Sequence, residues 1–171
     1  MRTNRRSHAE CAPTIIMMKS DRSGHHALRK GRVSIANGIY LITTTTLGRQ
    51  NLFTDFTVGC AVARCIEDAR LLGDAKMLAW VLMPDHLHSV LQLGERDRLD
   101  AVVSRLKSAS ARHANHVLRR TGKVWAYTFH DHALRSDEDL QDVARYVVAN
   151  PIRAGLVTRI GDYPFWNAVW L

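Results

Sequence analysis

Two histidines near the middle of the chain are the residues whose types and spacing most clearly indicate chemistry. His86 and His88 lie in the segment WVLMPDHLHSVLQL, residues 80–93. This segment has the pattern of two short strands joined by a tight turn at Pro84 and Asp85. Side chains alternate along a strand, so both histidines project from one face of it. Two neutral imidazoles on one face can bind one divalent metal ion and leave other coordination positions open for a reaction.

A second group of polar side chains lies on a predicted helix late in the chain. Asp142, Tyr146 and Asn150 are spaced by four residues and therefore line one edge of this helix. The amide oxygen of Asn150 could supply a third metal ligand, with water and a substrate phosphate completing the shell. From the helix alone, Tyr146 has the position of a boundary tyrosine with a packed ring and a solvated hydroxyl. The apolar stripe beside this edge comprises Leu140, Val143, Ala144, Val147 and Val148.

The elements that must position these groups follow from periodicity and from turn and cap residues. A capping box at Ser136 and Asp139 begins the last helix, and Pro151 disfavours helix at Asn150. The predicted order is a strand at 39–46, a helix at 55–72, hairpin strands at 75–83 and 86–93, a helix at 98–120, and the helix at 136–150.

This order predicts an α+β fold. We expect a ferredoxin-like antiparallel sheet with helices on one face, plus an appended C-terminal helix that carries the tyrosine. The fourth strand of such a sheet is expected within residues 124–134 or later. We also expect two regions, a flexible basic N-terminal arm at 1–34 and a single domain at 35–171.

The charge of the chain indicates a polyanionic partner. Its 171 residues carry a formal net charge of +8, which favours nucleic acid. No acidic residue lies between Asp100 and Asp131, so Arg105, Lys107 and Arg112 are candidate phosphate contacts; the alternative is an ordinary solvated helix face. His130 and His132 are further candidates for DNA contact, with packing or turn hydrogen bonds as the alternative.

Cysteine use and hydropathy suggest the compartment. Cys11, Cys60 and Cys65 are odd in number and lack paired spacing, so we expect no disulfide framework and a reducing environment. No apolar run approaches the roughly 18 residues of a membrane span, and we expect no membrane partner. The predicted location is the cytoplasm, in association with the nucleoid.

Three segments make the sequence similar to a known family. WVLMPDHLHSVLQL resembles the His-hydrophobic-His motif of the single-tyrosine transposases, called the HUH motif. ARYVVANPIRAGLV, residues 144–157, and HDHALRSDEDL, residues 130–140, resemble the REP-associated tyrosine transposases, relatives of the smallest insertion-sequence transposases. The resemblance covers roughly residues 38–166. It implies an enzyme that cuts and rejoins single-stranded DNA at repetitive extragenic palindromes.

The resemblance also implies roles for individual residues. His86, His88 and Asn150 would bind a divalent metal, Mg²⁺ or Mn²⁺, and Tyr146 would be the nucleophile that forms a 5′-phosphotyrosine. Apart from the resemblance, Arg153 in the NPIRAG segment is a candidate contact to a phosphate beside the tyrosine; the alternative is an ordinary surface arginine. The implied partners are single-stranded DNA hairpins, and the implied assembly is a monomer or a homodimer.

Two other functions are compatible with parts of the pattern. A domesticated, non-catalytic protein that binds DNA or RNA hairpins would share the fold and the charge, but it need not retain His86, His88, Tyr146 and Asn150 together. A metallohydrolase that attacks phosphodiesters with water would use the histidines without Tyr146. A Tyr146→Phe variant distinguishes the hydrolase from the transposase.

Overall fold

The computed structural model describes residues 34–135 and 139–170. From Ser34 onward the chain forms one compact unit. The predicted basic arm and Cys11 lie outside the described residues, except for Ser34. The strands are β1 Ile39–Thr45, β2 Lys76–Met83, β3 His86–Gln92, β4 His130–Ala133 and β5 Trp166–Ala168. The helices are α1 Phe56–Ile66, α2 Ala69–Leu72, α3 Leu99–Val117, α4 Leu140–Val148 and α5 Asn150–Arg153.

The five strands form one antiparallel sheet in the order β4-β1-β3-β2-β5. Its first four positions follow the expected ferredoxin-like arrangement, in which β1 and β3 are central and β4 returns beside β1. The α+β prediction is therefore confirmed, and β4 falls within the segment expected to supply it. The sequence did not predict β5, which pairs over only three residues with the edge of β2.

Alternation along the strands divides the core into two layers. Trp80 and Leu82 of β2 face α1 and α3, whereas Val81 of the same strand faces α4. Leu87 and Leu91 of β3 lie on the α1 and α3 side, opposite the face predicted for the two histidines. The two longest helices thus cover one face of the sheet. The appended helix α4 covers the opposite face, to which His86 and His88 project.

The helix bounds differ from the sequence prediction where a local cap decides them. Asp55 begins α1 as expected, since its carboxylate accepts from the Thr57 and Val58 backbone N–H groups. The predicted single helix is wrong beyond Ile66, because Asp68 caps a separate α2 by accepting from the Arg70 N–H.

The other helix ends show the same effect of local caps. Helix α4 begins at Leu140 because Asp139 is its N-cap; Ser136 lies outside the described residues. It ends at Val148, and Asn150 opens the separate short helix α5. The Ser34 hydroxyl accepts from the Leu99 N–H at the start of α3.

Other expectations concern the cysteines and the membrane. Cys65 is buried and Cys60 partly buried, and both are free thiols. Burial raises the pKa of the Cys65 thiol, which makes it unreactive.

Within the described ranges, no helix combines the length and hydropathy needed to cross a membrane.

Candidate metal and tyrosine site

The imidazole rings of His86 and His88 approach each other on one face of β3. Their Nε2 atoms lie 3.1 Å apart, and the ring planes are 88° apart. Two nitrogen ligands about 2.1 Å from one ion, at tetrahedral or octahedral angles, are about 3.0 to 3.4 Å from each other. His86 and His88 therefore fit the expected divalent metal without rearrangement.

Each imidazole is held through its other nitrogen. His86 Nδ1 lies 2.5 Å from Asp85 Oδ1, and His88 Nδ1 lies 2.8 Å from Thr43 Oγ1. If each Nδ1 carries the proton and donates it, each Nε2 keeps a lone pair that can bind a metal. Partners of this kind fix both the ring orientation and the tautomer of metal-binding histidines.

The electrostatic surroundings keep His88 neutral. Burial, with smaller contributions from His86, Arg153 and Arg49, lowers the pKa of His88 to about 4. At neutral pH this imidazole is therefore uncharged, which is the form that binds a metal. Because Arg49 and Arg153 both lower the pKa of His88, their guanidinium groups lie close enough to the histidine pair to affect its charge.

Tyr146 lies on α4, over the sheet face that carries the histidines. Ala144, Val147 and Val148 pack on this face, so the helix is anchored by its apolar stripe as predicted. Tyr146 lies off the stripe and is 45% exposed. The guanidinium carbon of Arg153 lies 3.8 Å from the centre of its ring, a cation–π contact that holds the tyrosine from one side.

Asn150 follows one turn after Tyr146, at the break between α4 and α5. Its Nδ2 donates to the Val147 carbonyl at 2.7 Å and to the Tyr146 carbonyl at 3.3 Å. These contacts use its amide nitrogen and leave Oδ1 as the atom that could bind a metal. Over the described ranges, no group of three or more His, Cys, Asp or Glu is placed to hold an ion. A metal on the histidine pair would thus require neutral or substrate oxygens, as predicted.

Asp85 and Thr43 are site residues that the sequence interpretation missed. Asp85 was expected to serve only as a turn residue, yet it contacts both His86 and Arg49. Burial raises the pKa of Asp85, but hydrogen bonds from His86 and Arg49 outweigh burial and hold the pKa below its usual value. Its position next to His86 was the available signal. Thr43 gave no such signal, because only strand register places it opposite His88.

The three cationic candidates on α3 have different surroundings. Arg105 forms an ion pair with Asp97 and donates to the Leu71 and Leu72 carbonyls. Lys107 donates to the Ala126 carbonyl at 2.6 Å and to the Tyr127 carbonyl at 3.3 Å, and burial lowers its pKa. Arg112 is exposed. The site face of the sheet is opposite α3, so none of the three is brought to the histidine pair.

His130 and His132 lie on the same sheet face as the histidine pair. Thr43 is opposite His88 on one side and opposite His130 on the other, and residues directly opposite in an antiparallel sheet share a face. His130 is therefore two strands from His88, roughly 10 Å away at the usual strand spacing. Both β4 histidines are exposed, and their contact with DNA stays a prediction.

Comparisons with known proteins show the family of the chain. Residues 34–150 match the family described as "Transposase IS200 like". A REP-associated tyrosine transposase from Escherichia coli (strain K12) is 30% identical over 87 residues, which are 51% of this chain and 50% of that protein. The chain thus spans about half the length of this curated relative.

A solved structure shows the same fold. It is described as the structure of the REP-associated tyrosine transposase bound to a REP hairpin, with a TM-score of 0.62 and 24% identity over 80% of this chain and 79% of that one. The family match covers more than half of the chain and includes His86, His88, Tyr146 and Asn150. The chain therefore belongs to the IS200-like transposase family.

Proposed function

We propose that this protein is a metal-dependent transposase that nicks and rejoins single-stranded DNA through a 5′-phosphotyrosine on Tyr146. The observation that carries the proposal is that the histidine pair and the helix that carries Tyr146 lie on the same side of the sheet. Two imidazole Nε2 atoms lie 3.1 Å apart, and an exposed tyrosine held by Arg153 lies on the helix that covers the same face. A metallohydrolase would need the histidines but not this tyrosine.

The proposed reaction is a transesterification. The Tyr146 hydroxyl oxygen forms a bond to phosphorus as the bond from phosphorus to the 3′ oxygen breaks. The phenol proton passes to solvent, and the departing 3′ oxygen takes up a proton. The covalent link keeps a phosphodiester-like bond, so a 3′-hydroxyl can reverse the step and join strands.

The residues of the chain have distinct parts in this proposal. His86, His88 and the amide oxygen of Asn150 would hold a divalent ion, Mg²⁺ or Mn²⁺. When bound, such an ion polarises the scissile phosphate and stabilises its developing charge. Arg153 holds the Tyr146 ring and contributes positive charge beside the phosphate.

We propose single-stranded DNA hairpins of the repetitive palindromic type as the substrate. The structural neighbour is described as bound to a REP hairpin, and the net charge of +8 suits a polyanion. The protein would act in the cytoplasm, on DNA of the nucleoid, as a monomer or a homodimer.

The test uses end-labelled single-stranded DNA that carries the palindromic repeat found beside the gene. The protein is incubated with this DNA and Mn²⁺ or Mg²⁺, and protein–DNA adducts are resolved on a denaturing gel. Wild type is compared with Tyr146→Phe and with a His86→Ala/His88→Ala double variant. Tyr127→Phe is the matched control, since Tyr127 is 74% exposed and lies on a separate loop.

We expect a metal-dependent adduct in wild type and Tyr127→Phe, and none in the other two proteins. Cleavage without an adduct that survives Tyr146→Phe would replace the transposase with a hydrolase. Tight hairpin binding without cleavage would indicate the non-catalytic binding protein.

A further inference from the structure

An arginine outside the predicted site is built into the turn that follows β1. Residues Leu47–Arg49 form a 3₁₀ turn in which Gly48 has φ 66° and Arg49 has φ 56°. Residues other than glycine seldom adopt this left-handed conformation. Backbone conformations of this type persist only where the surrounding contacts impose them, and they are concentrated at functional sites.

The contacts that impose this conformation tie the turn to the β2–β3 hairpin. Thr46, which is buried, donates its backbone N–H to the Asp85 carbonyl at 2.8 Å. Its hydroxyl lies 3.0 Å from the same carbonyl and 2.8 Å from the Gln50 carbonyl. Thr46 therefore holds the turn that carries Arg49 against the turn that carries Asp85.

The side chains continue this connection into the histidine pair. Arg49 donates through one guanidinium nitrogen to Asp85 Oδ2 at 3.2 Å, while Asp85 Oδ1 contacts His86 Nδ1. Both carboxylate oxygens of Asp85 are thus held, one by each partner. A carboxylate fixed at both oxygens cannot rotate, so it fixes the plane of the His86 ring.

We propose that Arg49 is a positioning residue for His86, acts through Asp85, and thereby sets the affinity of the His86–His88 pair for a divalent metal. The inference rests on the metal-binding part of the proposed function and is independent of the tyrosine chemistry. The Arg49 side chain is 63% exposed, and an exposed ion pair contributes little to stability. The expected consequence of losing it is a less well oriented ligand and not a less stable fold.

The experiment measures Mn²⁺ binding to the full chain by calorimetry, in the absence of DNA. Arg49→Gln keeps the length and polarity of the side chain but removes its charge. Arg96→Gln is the matched control, because Arg96 also forms an exposed ion pair, with Asp74, beyond the opposite end of β3. We expect Arg49→Gln to weaken Mn²⁺ binding about 3- to 10-fold, less than the roughly 10- to 100-fold typical of partners in direct contact with a ligand, because Arg49 acts through Asp85. Its thermal unfolding and the Mn²⁺ affinity of Arg96→Gln should stay at wild-type values.

A double variant tests whether Arg49 acts through Asp85. In an Asp85→Asn protein, the side chain at 85 can still accept from His86 Nδ1 but has no charge to pair with Arg49. We expect the Arg49→Gln change to have no further effect on Mn²⁺ affinity in this background. An undiminished effect there would mean that Arg49 acts on the metal site by another route.

The possible outcomes separate this inference from the proposed function. An Arg49→Gln affinity equal to that of wild type would overturn the positioning role. A wild-type protein that binds no Mn²⁺ would overturn both the positioning role and the metal site. Normal Mn²⁺ behaviour without any DNA adduct would overturn the transposase reaction and leave the role of Arg49 intact.

Discussion

At the scale of single residues, the site depends on which nitrogen of each histidine is free. Asp85 and Thr43 contact the Nδ1 atoms, and the two Nε2 atoms lie 3.1 Å apart. Burial and nearby positive charges keep His88 uncharged at neutral pH. The histidine motif alone does not provide this arrangement, because an imidazole without an outer partner rotates and exchanges tautomers.

A change at Thr43 tests the importance of the outer partner. We expect Thr43→Val to weaken divalent metal binding about 10-fold, because the His88 Nδ1–H loses its acceptor and the ring loses its orientation. Thr43→Ser, which keeps the hydroxyl, should retain most of the affinity. Mn²⁺ titration calorimetry on both variants measures the effect, and equal affinities for the two would show that the Thr43 contact does not orient His88.

At the scale of elements, two features hold the layers around the sheet. Helix α1 packs closely against the segment that precedes β5, and that segment is also tied to strand β2. Gly59 of α1 allows the first contact, and Tyr163 makes the second. Both contacts join parts of the chain that are far apart in sequence, so each can be tested by a single substitution.

We expect Gly59→Ala to destabilise the protein although alanine favours helix. A Cβ at Gly59 would lie 2.3 Å from the Phe165 ring, and this clash should cost about 1 to 3 kcal/mol. The gain in helix propensity, about 1 kcal/mol, offsets only part of it. Chemical denaturation measures the change. Gly161→Ala is the control, since a Cβ at Gly161 meets no atom within 4 Å.

Tyr163 provides a prediction about pH. Its hydroxyl donates to the Leu82 carbonyl at 2.7 Å, and burial raises the pKa of Tyr163 to about 12. Because the folded state retains the proton more tightly than the unfolded chain, this contribution is complete below about pH 10 and is lost between about pH 10 and 12.

The matched variant for this prediction is Tyr163→Phe. It should be about 1 kcal/mol less stable than wild type at neutral pH, since it lacks the hydrogen bond. Its free energy of unfolding should also fall less steeply than that of wild type between pH 10 and 12. Parallel slopes for the two proteins would contradict the assigned titration.

At the scale of the whole molecule, the chain has a net charge of +8. Some of its basic residues support the fold, and others face solvent. Arg105 and Lys107 donate to backbone carbonyls and support the packing of α3. Arg112 on the same helix is exposed. The basic character of α3 in the sequence therefore combines residues that hold the fold with a residue that faces solvent.

Two substitutions on α3 test this division. We expect Arg112→Gln to weaken hairpin binding uniformly across sequences and to reduce the salt slope of binding by about 1, as for one lost phosphate contact. We expect Arg105→Gln to lower the melting temperature, because the Leu71 and Leu72 carbonyls and Asp97 lose their donor. Fluorescence anisotropy over a range of salt concentrations and thermal unfolding measure the two effects. A loss of binding by Arg105→Gln without loss of stability would restore its predicted role as a DNA contact.

The sequence alone determined the features that depend on near neighbours. Strand alternation placed His86 and His88 on one face, and the Pro84–Asp85 turn defined the hairpin. The apolar stripe of α4 excluded Tyr146, and Asp55 marked the start of α1. Each of these depends on residues within one turn or one strand, so the order of residue types contains the necessary information.

Only the tertiary structure decided which distant residues complete the site. The register between β1 and β3 brings Thr43 to His88, and the Thr46 contacts bring Arg49 to Asp85. The packing of α4 places Tyr146 on the helix that covers the histidine face, and Arg153 lies near enough to lower the pKa of His88. Strand β5 forms only because β2 offers it an edge. These pairings depend on the relative position of separate elements, which is set by the burial of the whole core and not by any local pattern.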